Sequence, residues 1–493
     1  MSGEPKTLSS LGLTGQGGRN PQITGLAVDS REVQEGFLFA AMPGAKMHGG
    51  EFIRFALRMG AAAILTDAEG ARLAQDELAE SDAALIVTSE PREALARAAA
   101  LWFERQPPVM VAVTGTNGKT SVSTFVRQIW QGLGHAAINL GTTGIEGAWT
   151  APLAHTTPEP ITLHCALAEA AEAEVTHCAM EASSHGLDQR RLDGVTLKAA
   201  GFTNLTQDHL DYHETFEAYF DAKAGLFARV LPEDAKAVIN IEEERGVDMA
   251  AIANARGCPV ISVGRDIGDL HLGRIQVDAT GQTVQFFHLG KSYVRRLNLI
   301  GDFQAENVLL AAGLVIACGE RPNVVFDTFE DLRTVRGRMQ LAATRANGAT
   351  VFVDYAHTPG AISTALKALR PHVVGRLIAI VGAGGDRDVT KRPLMGQAAA
   401  ENADLVIVTD DNPRSEDPGE IRAAVLLGAP DAQEVGDRAE AILRGVDALG
   451  PGDALLIAGK GHETGQTIGS DVLPFDDAEQ ASVAVAALDG RMA

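Results

Sequence analysis

Short apolar runs alternate along this chain with longer alanine-rich stretches. The runs at residues 62–66, 109–113, 377–381, 405–409 and 454–458 read as buried strands, and the stretches between them as helices. That alternation predicts α/β domains built on mostly parallel sheets. Residues 91–106 predict a helix that opens on Pro91 and stops before Pro107 and Pro108. One boundary therefore falls near residue 90. A second falls near 336, where the polar segment 331–338 precedes a new series of strand-like runs. The expected domains are 1–90, 91–335 and 336–493, with no internal repeat and no low-complexity tract.

Composition narrows the function. The 493 residues are 45% hydrophobic and 22% charged, enough to build a core in each domain. Lys and Arg total 42 against 64 for Asp and Glu, a formal charge of −22. Such a surface repels nucleic acid and anionic membranes, so any anionic substrate must be held by local cations or backbone N–H groups. Cys165, Cys178, Cys258 and Cys318 are widely spaced, which suggests neither a disulfide framework nor a thiolate zinc site. The N-terminus lacks the basic start and apolar run of a signal peptide, and no stretch reaches the roughly 20 apolar residues of a membrane span. A cytoplasmic protein is expected.

The local cation appears after the strand at 109–113. Thr114, Gly115, Thr116, Asn117, Gly118, Lys119, Thr120 and Ser121 precede a helix expected over 122–132. A glycine loop between strand and helix turns backbone N–H groups onto phosphate oxygens, while Lys119 adds charge and the Thr120 hydroxyl suits Mg²⁺. The longer form of this loop has a glycine five residues before Gly118, where this chain has Val113. Glu181 is expected at a strand end, from which its carboxylate can join Thr120 around Mg²⁺. His209 and His213 are four residues apart, a helical spacing, yet no His-Glu-x-x-His pattern supports zinc. Lys223 sits in an amphipathic stretch, 220–227, that predicts a helix.

This loop, followed in order by Glu181 to His185, Thr203 to Asp211, Ala222 to Ala224, Asn307, Arg338 and Asp354 to His357, resembles the Mur ligase superfamily of ATP-dependent amide-forming enzymes. The resemblance spans nearly the whole chain. It implies an N-terminal uridine-nucleotide domain, a central P-loop ATPase domain and a C-terminal Rossmann-like domain. It assigns His209 to the metal and phosphate region, leaving His213 structural, and it implies that Lys223 is carbamylated and ligates a second Mg²⁺. Asn307 matches an adenine-side residue; Arg338 and Asp354 match phosphate or ribose contacts. Lys119, Lys223 and His209 are thereby the catalytic candidates, and Thr120, Glu181, His209 and Lys223 the metal ligands.

The same resemblance supplies substrate residues. Val28 and Ser30 match the uridine-nucleotide group, although Ala45, Lys46 and Met47 depart from the His-Gln-Ala of some relatives. Thr156, Thr157, Ser183, Gln189 and Arg191 match the muramoyl-peptide site. Asp411, Asn412, Pro413 and Arg414 lie after a strand, where the Asn-Pro turn can hold the Arg414 fork against a carboxylate. With Arg387, Gly459 and Glu463 they match the form that takes diaminopimelate, an amino acid whose far end carries both an amine and a carboxylate. The implied activity joins meso-diaminopimelate to the D-glutamate γ-carboxylate of UDP-N-acetylmuramoyl-L-Ala-D-Glu through an acyl-phosphate, in a monomer using ATP and Mg²⁺. A lysine-adding homologue, a folylpolyglutamate-synthetase-like ligase and a nucleotide-binding switch are the alternatives.

Overall fold

The apolar runs become parallel strands joined by helical crossovers, the arrangement that covers both faces of a sheet with apolar side chains. The computed structural model describes residues 4–44, 47–206, 210–278 and 280–490. The chain divides into one compact unit of Met1–Leu270 with Leu309–Val325 and a second of His271–Val308 with Phe326–Ala493.

After a short antiparallel pair, Lys6–Thr7 with Gln22–Ile23, the first unit has four strands, β1 (Gly25–Ala27), β2 (Phe37–Ala40), β3 (Ala63–Thr66) and β4 (Ala84–Val87), all parallel and paired in chain order. Helix α1 (Pro91–Phe103) follows and packs Leu95, Ala98, Ala99 and Trp102 against Leu26, Leu38 and Leu65. It ends earlier than the sequence suggested, because Glu104 turns into the left-handed region at φ 60.

A larger sheet comes next. It contains β5 (Val109–Thr114), β6 (Ala137–Gly141), β7 (Gly144–Gly147), β8 (His177–Glu181), β9 (Ala199–Phe202), β10 (Lys236–Asn240) and β11 (Val260–Gly264), in the order β11-β10-β9-β5-β8-β6-β7. Only β7 runs antiparallel, to β6. Helix α2 (Lys119–Gly132) follows β5, α3 (Pro160–Glu172) precedes β8, and α4 (Ser184–Asp188) and α5 (Phe216–Gly225) lie on either side of β9 in sequence. Because β8 and β6 lie to one side of β5 and β9 to the other, the loops leaving β5, β8 and β9 diverge at their C-terminal ends. Open α/β sheets bind ligands in that position.

The helix expected from residue 122 begins at Lys119 instead. Gly118, at φ 84, passes the chain straight from loop to helix, so Lys119, Thr120 and Ser121 occupy the first turn. Helix α5 likewise starts before the expected 220, since Thr215 caps it by accepting from the Ala218 N–H.

The second unit carries a ribbon, β12 (Leu270–Asp278, from His271 on), β13 (Gly281–His288) and β14 (Lys291–Leu297), then the start of α6 (Asp302–Ala317), whose residues from Leu309 on belong to the first unit. Its main sheet has β15 (Gln340–Thr344), β16 (Thr350–Asp354), β17 (Leu377–Val381), β18 (Leu405–Val408), β19 (Gln433–Glu434) and β20 (Ala454–Ala458), ordered β15-β16-β20-β17-β18-β19. All are parallel except β15. Helices α7 (Pro359–Leu369), α8 (Lys391–Asn402), α9 (Pro418–Leu426) and α10 (Arg438–Asp447) provide the crossovers, and a hairpin of β21 (Gly465–Ile468) and β22 (Asp471–Pro474) precedes a final helix, α11 (Asp477–Leu488). All four cysteines are free thiols; burial pushes Cys178 and Cys318 up to about 12. Among the described residues no helix is long and apolar enough to cross a membrane.

One buried ion pair ties this unit together. Arg438 at the start of α10 and Asp477 at the start of α11 have fully buried side chains, with two bonds of 2.7 Å, and Arg438 Nη2 also donates to the Ala458 carbonyl at the end of β20. Removing one partner of such a pair strands the other in a medium that solvates it poorly. Asp477→Ala is therefore expected to cost about 3–5 kcal/mol of stability, read as a lower urea-unfolding midpoint. An unchanged midpoint would contradict that role.

Candidate functional site

Strand β5 ends at Thr114, and the loop it feeds is held by the segment after β9. Gly115 has φ 147, and a Cβ there would overlap the Thr203 hydroxyl, so only glycine passes. The Thr116 N–H donates to the Asn204 carbonyl at 2.9 Å and the Asn117 N–H to Asn204 Oδ1 at 3.0 Å. The Thr203 hydroxyl donates to the Asn117 carbonyl at 2.6 Å. Lys119 Nζ donates to the carbonyls of Gly115 and Thr116 at 3.0 and 2.8 Å. The loop is thus fixed from outside, and its cation lies over its own backbone. Thr120 and Ser121 are buried in the first turn of α2.

Lys223 meets the same loop from α5. It is 1% exposed, donates from Nζ to the Gly115 carbonyl at 2.7 Å and lies 4.4 Å over the Tyr219 ring. The Tyr219 hydroxyl in turn bonds Thr116 Oγ1 at 3.1 Å. His213 packs its ring against Tyr212, Tyr219 and His185, consistent with a structural place. His209 lies outside the described residues. Among the described residues, no cluster of three His, Cys, Asp or Glu side chains is placed to hold a metal ion.

Glu181 is the last residue of β8, as the sequence suggested, and is the register partner of Val113. It is 1% exposed. Its carboxylate accepts from the Thr142 N–H at 2.9 Å and the Thr142 hydroxyl at 3.3 Å. From the same strand end the structure assembles the residues expected at the muramoyl-peptide. The Thr157 hydroxyl donates to the Glu181 carbonyl and accepts from the Ser183 N–H. Arg191 donates to the Thr157 carbonyl at 2.5 Å and to Gln189 Oε1 at 2.7 Å, and Gln189 bonds the Tyr212 hydroxyl at 3.0 Å. Ser183 caps α4 through the Gly186 N–H, and Thr156 Oγ1 meets Thr142 Oγ1. Val28 and Ser30 follow the end of β1. A cavity of about 750 Å³, lined by Trp102, Trp149, Phe37 and Cys165 among others, opens near the N-terminal ends of β1 and β2 and contains none of the expected site residues.

The remaining candidates belong to the second unit. Asn307 is buried on α6 and donates to Gln304 Oε1 at 3.1 Å. Asp354 ends β16 and accepts from the Met339 N–H at 2.7 Å; burial pushes its carboxyl above the usual range, against the pull of Arg338. The Arg338 guanidinium lies 4.7 Å over the Tyr355 ring.

The loop after β18 is the most tightly built part of this unit. The Asn412 amide donates to Glu463 Oε2 at 2.8 Å, and its carbonyl oxygen accepts from Lys460 Nζ at 3.0 Å and the Thr467 N–H at 2.9 Å. Lys460 is fully buried and also reaches Glu463 at 3.0 Å. Burial pushes Asp411 up, against the pull of Arg438 and Lys460. A Cβ on Gly459 would collide with the Asp411 carboxylate, which is why that position has no side chain. Arg414 adopts φ 52 and donates from Nη1 to the Gly385 carbonyl at 2.7 Å, beside the exposed Arg387. Asp411, Asn412, Arg414, Gly459, Glu463 and Arg387 therefore gather at one end of the sheet.

Sequence reasoning missed Lys460, Tyr219 and Tyr212. Lys460 stood in view between Gly459 and Gly461, and a lysine flanked by glycines beside Glu463 was the available signal. Nothing in the linear pattern links Tyr219 to Thr116.

Residues 22–103 match the Mur ligase family catalytic domain, 113–315 the Mur ligase middle domain and 337–461 the Mur ligase glutamate ligase domain. The chain is 49% identical over 473 residues to the UDP-N-acetylmuramoyl-L-alanyl-D-glutamate--2,6-diaminopimelate ligase of Bradyrhizobium diazoefficiens, covering 94% of this chain and 95% of that protein. A solved structure of a ligase with the same description is 33% identical, with a TM-score of 0.71 and 95% of each chain covered. The folylpolyglutamate synthase of Mycobacterium tuberculosis, solved with ADP and AMPPCP, shares the fold at 21% identity and a TM-score of 0.61, over 82% of this chain and 96% of that one. The chain belongs to the Mur ligase family.

Proposed function

We propose that this protein joins meso-diaminopimelate to the D-glutamate γ-carboxylate of UDP-N-acetylmuramoyl-L-Ala-D-Glu, with cleavage of ATP to ADP and phosphate, in peptidoglycan precursor synthesis. The observation that carries the reading is 49% identity over nearly the full length to a diaminopimelate ligase; Arg414, with Arg387, would serve as its carboxylate clamp. A lysine-adding ligase would have no use for that clamp.

Chemically, the γ-carboxylate is a poor acylating group until it carries a leaving group, so the γ-phosphoryl of ATP passes to it first. The amine of diaminopimelate then attacks the acyl-phosphate and orthophosphate departs. The loop N–H groups of Gly115 to Ser121 would cradle the phosphates, and Lys119 would swing from its own carbonyls to the transferred phosphoryl. Thr120 and Glu181 present hard oxygen donors that fit Mg²⁺. An ammonium on Lys223 cannot ligate a cation, whereas a carbamate formed from its amine and CO₂ can, and that is the role proposed for it, with His209 in the same region. Mg²⁺ would neutralise charge building on the transferring phosphoryl.

The other residues keep the roles the resemblance implies. Asn307, Arg338 and Asp354 would contact the nucleotide. Thr156, Thr157, Ser183, Gln189 and Arg191 would hold the muramoyl-peptide, and Val28 and Ser30 the uridine nucleotide. Arg387 and Arg414 would take the distal carboxylate of diaminopimelate and Glu463 its ammonium.

Phosphate release should require ATP, the UDP-dipeptide and diaminopimelate together, with lysine a much poorer replacement; turnover independent of the amino acid would sink the ligase reading. Arg414→Ala should raise KM for diaminopimelate about tenfold or more, the worth of a charged hydrogen bond, and leave KM for ATP and UDP-dipeptide unchanged. Lys223→Ala should abolish turnover, with partial rescue by added short carboxylates. Full activity in that variant would rule out the carbamate.

A further inference from the structure

Two loops of the second unit carry the arginines proposed for diaminopimelate, and their side chains cross. The Arg387 loop sends the Asp386 carboxylate to the Arg414 loop, where it accepts from the Ser415 hydroxyl at 2.6 Å and the Ser415 N–H at 3.3 Å. The Arg414 loop sends the Glu416 carboxylate back, where it accepts from the Asp386 N–H at 2.5 Å. A single nitrogen of Arg392, Nη2, also bonds both Glu416 carboxylate oxygens, at 2.8 and 2.9 Å. Arg392 is 4% exposed on the first turn of α8, so it anchors the exchange to the sheet layer. A backbone tie from the Gly385 N–H to the Asn412 carbonyl at 2.9 Å and a side-chain bond from Arg414 Nη1 to the Gly385 carbonyl at 2.7 Å close the joint.

The exchange has something to restrain. Asp386 and Arg414 both sit at positive φ, 54 and 52, a conformation uncommon for a non-glycine residue and, for arginine, one that needs holding from its surroundings. Exposed carboxylate bonds taken singly contribute little. Here the two carboxylates act reciprocally and one is fastened to a buried guanidinium, which makes the pair of loops a single body.

We propose that Asp386 and Glu416 form a reciprocal latch that sets the spacing of Arg387 and Arg414, and that this latch, anchored by Arg392, determines selectivity for an amino acid with a distal carboxylate. They are positioning residues: neither is required to touch substrate. The inference rests on the proposed role of the two arginines. A loosened latch leaves both guanidinium groups present but spreads their separation, so it penalises a ligand that must meet both and spares one that meets neither.

The test uses the full-length protein with ATP, UDP-dipeptide and either diaminopimelate or lysine. Glu416→Gln is expected to raise KM for diaminopimelate about tenfold, to keep kcat within about threefold, and to leave KM for ATP, UDP-dipeptide and lysine unchanged, so the preference for diaminopimelate over lysine falls with the KM. Asp386→Asn should do the same, and the double variant should lose no more than the worse single one, because both break one joint. Ser415→Ala, which removes a single bond, gives the same direction with a smaller loss should the carboxylate variants fold poorly. Equal losses for diaminopimelate and lysine, additive losses in the double variant, or an unchanged preference would overturn the latch. A wild-type protein that does not use diaminopimelate, or an Arg414→Ala variant with unchanged KM for it, would instead overturn the reading on which the latch rests.

Discussion

The parallel pairing of β5 with β8 and β9 is the constraint on which the first unit's chemistry depends. Register places Glu181 beside Val113 and Phe202 beside Thr114, so the residues that follow each strand emerge at one level. From there Thr203 and Asn204 grip the phosphate loop while Glu181 fixes Thr142. A one-residue slip of β8 would turn the Glu181 side chain to the opposite face, and a slip of β9 would carry Thr203 and Asn204 away from the loop. The buried Lys223 adds a cation at the Gly115 carbonyl, and Tyr219 both covers that lysine and bonds Thr116. Strand register and a single helix thereby prepare a loop whose own sequence is too glycine-rich to hold a shape alone.

The second unit solves a different problem, which is how to hold an arginine-bearing loop steady at the end of a sheet. Its answer is to bury charge in compensated sets. Arg438 and Asp477 neutralise each other beneath Gly459, and Lys460 joins Asn412 to Glu463. Buried ion pairs of this kind add little net stability compared with apolar packing but are costly to break. What they supply here is position: the carbonyl oxygen of Asn412 is specified by two donors and its amide by a carboxylate.

The acidic balance of the chain also acquires a physical meaning. A net charge of −22 lies at odds with substrates that are all anions only if charge acts as an average. Within a few ångströms the local groups dominate, because water and salt screen the distant ones. Lys119 over the phosphate loop, Arg191 against the Thr157 carbonyl and Arg414 against the Gly385 carbonyl each lie where an anion is proposed to bind, and each donates to a backbone oxygen.

The sequence by itself determined the α/β class, the strand positions at 109–113, 377–381 and 454–458, the phosphate loop and the order of motifs that marks the Mur ligases. Those features are local: strand and helix periodicity, glycine spacing and charged residue types survive in one dimension. The start of α2 was misjudged by three residues because Gly118 acts through a positive φ that composition does not reveal. Only the tertiary structure decided that Lys223 rests on Gly115, 108 positions away, that Lys460 is buried against Asn412, and that Asp386 and Glu416 exchange partners across two loops. Each of these depends on which strand ends lie side by side, and strand order in a parallel sheet is set by long crossovers whose direction the linear pattern does not record.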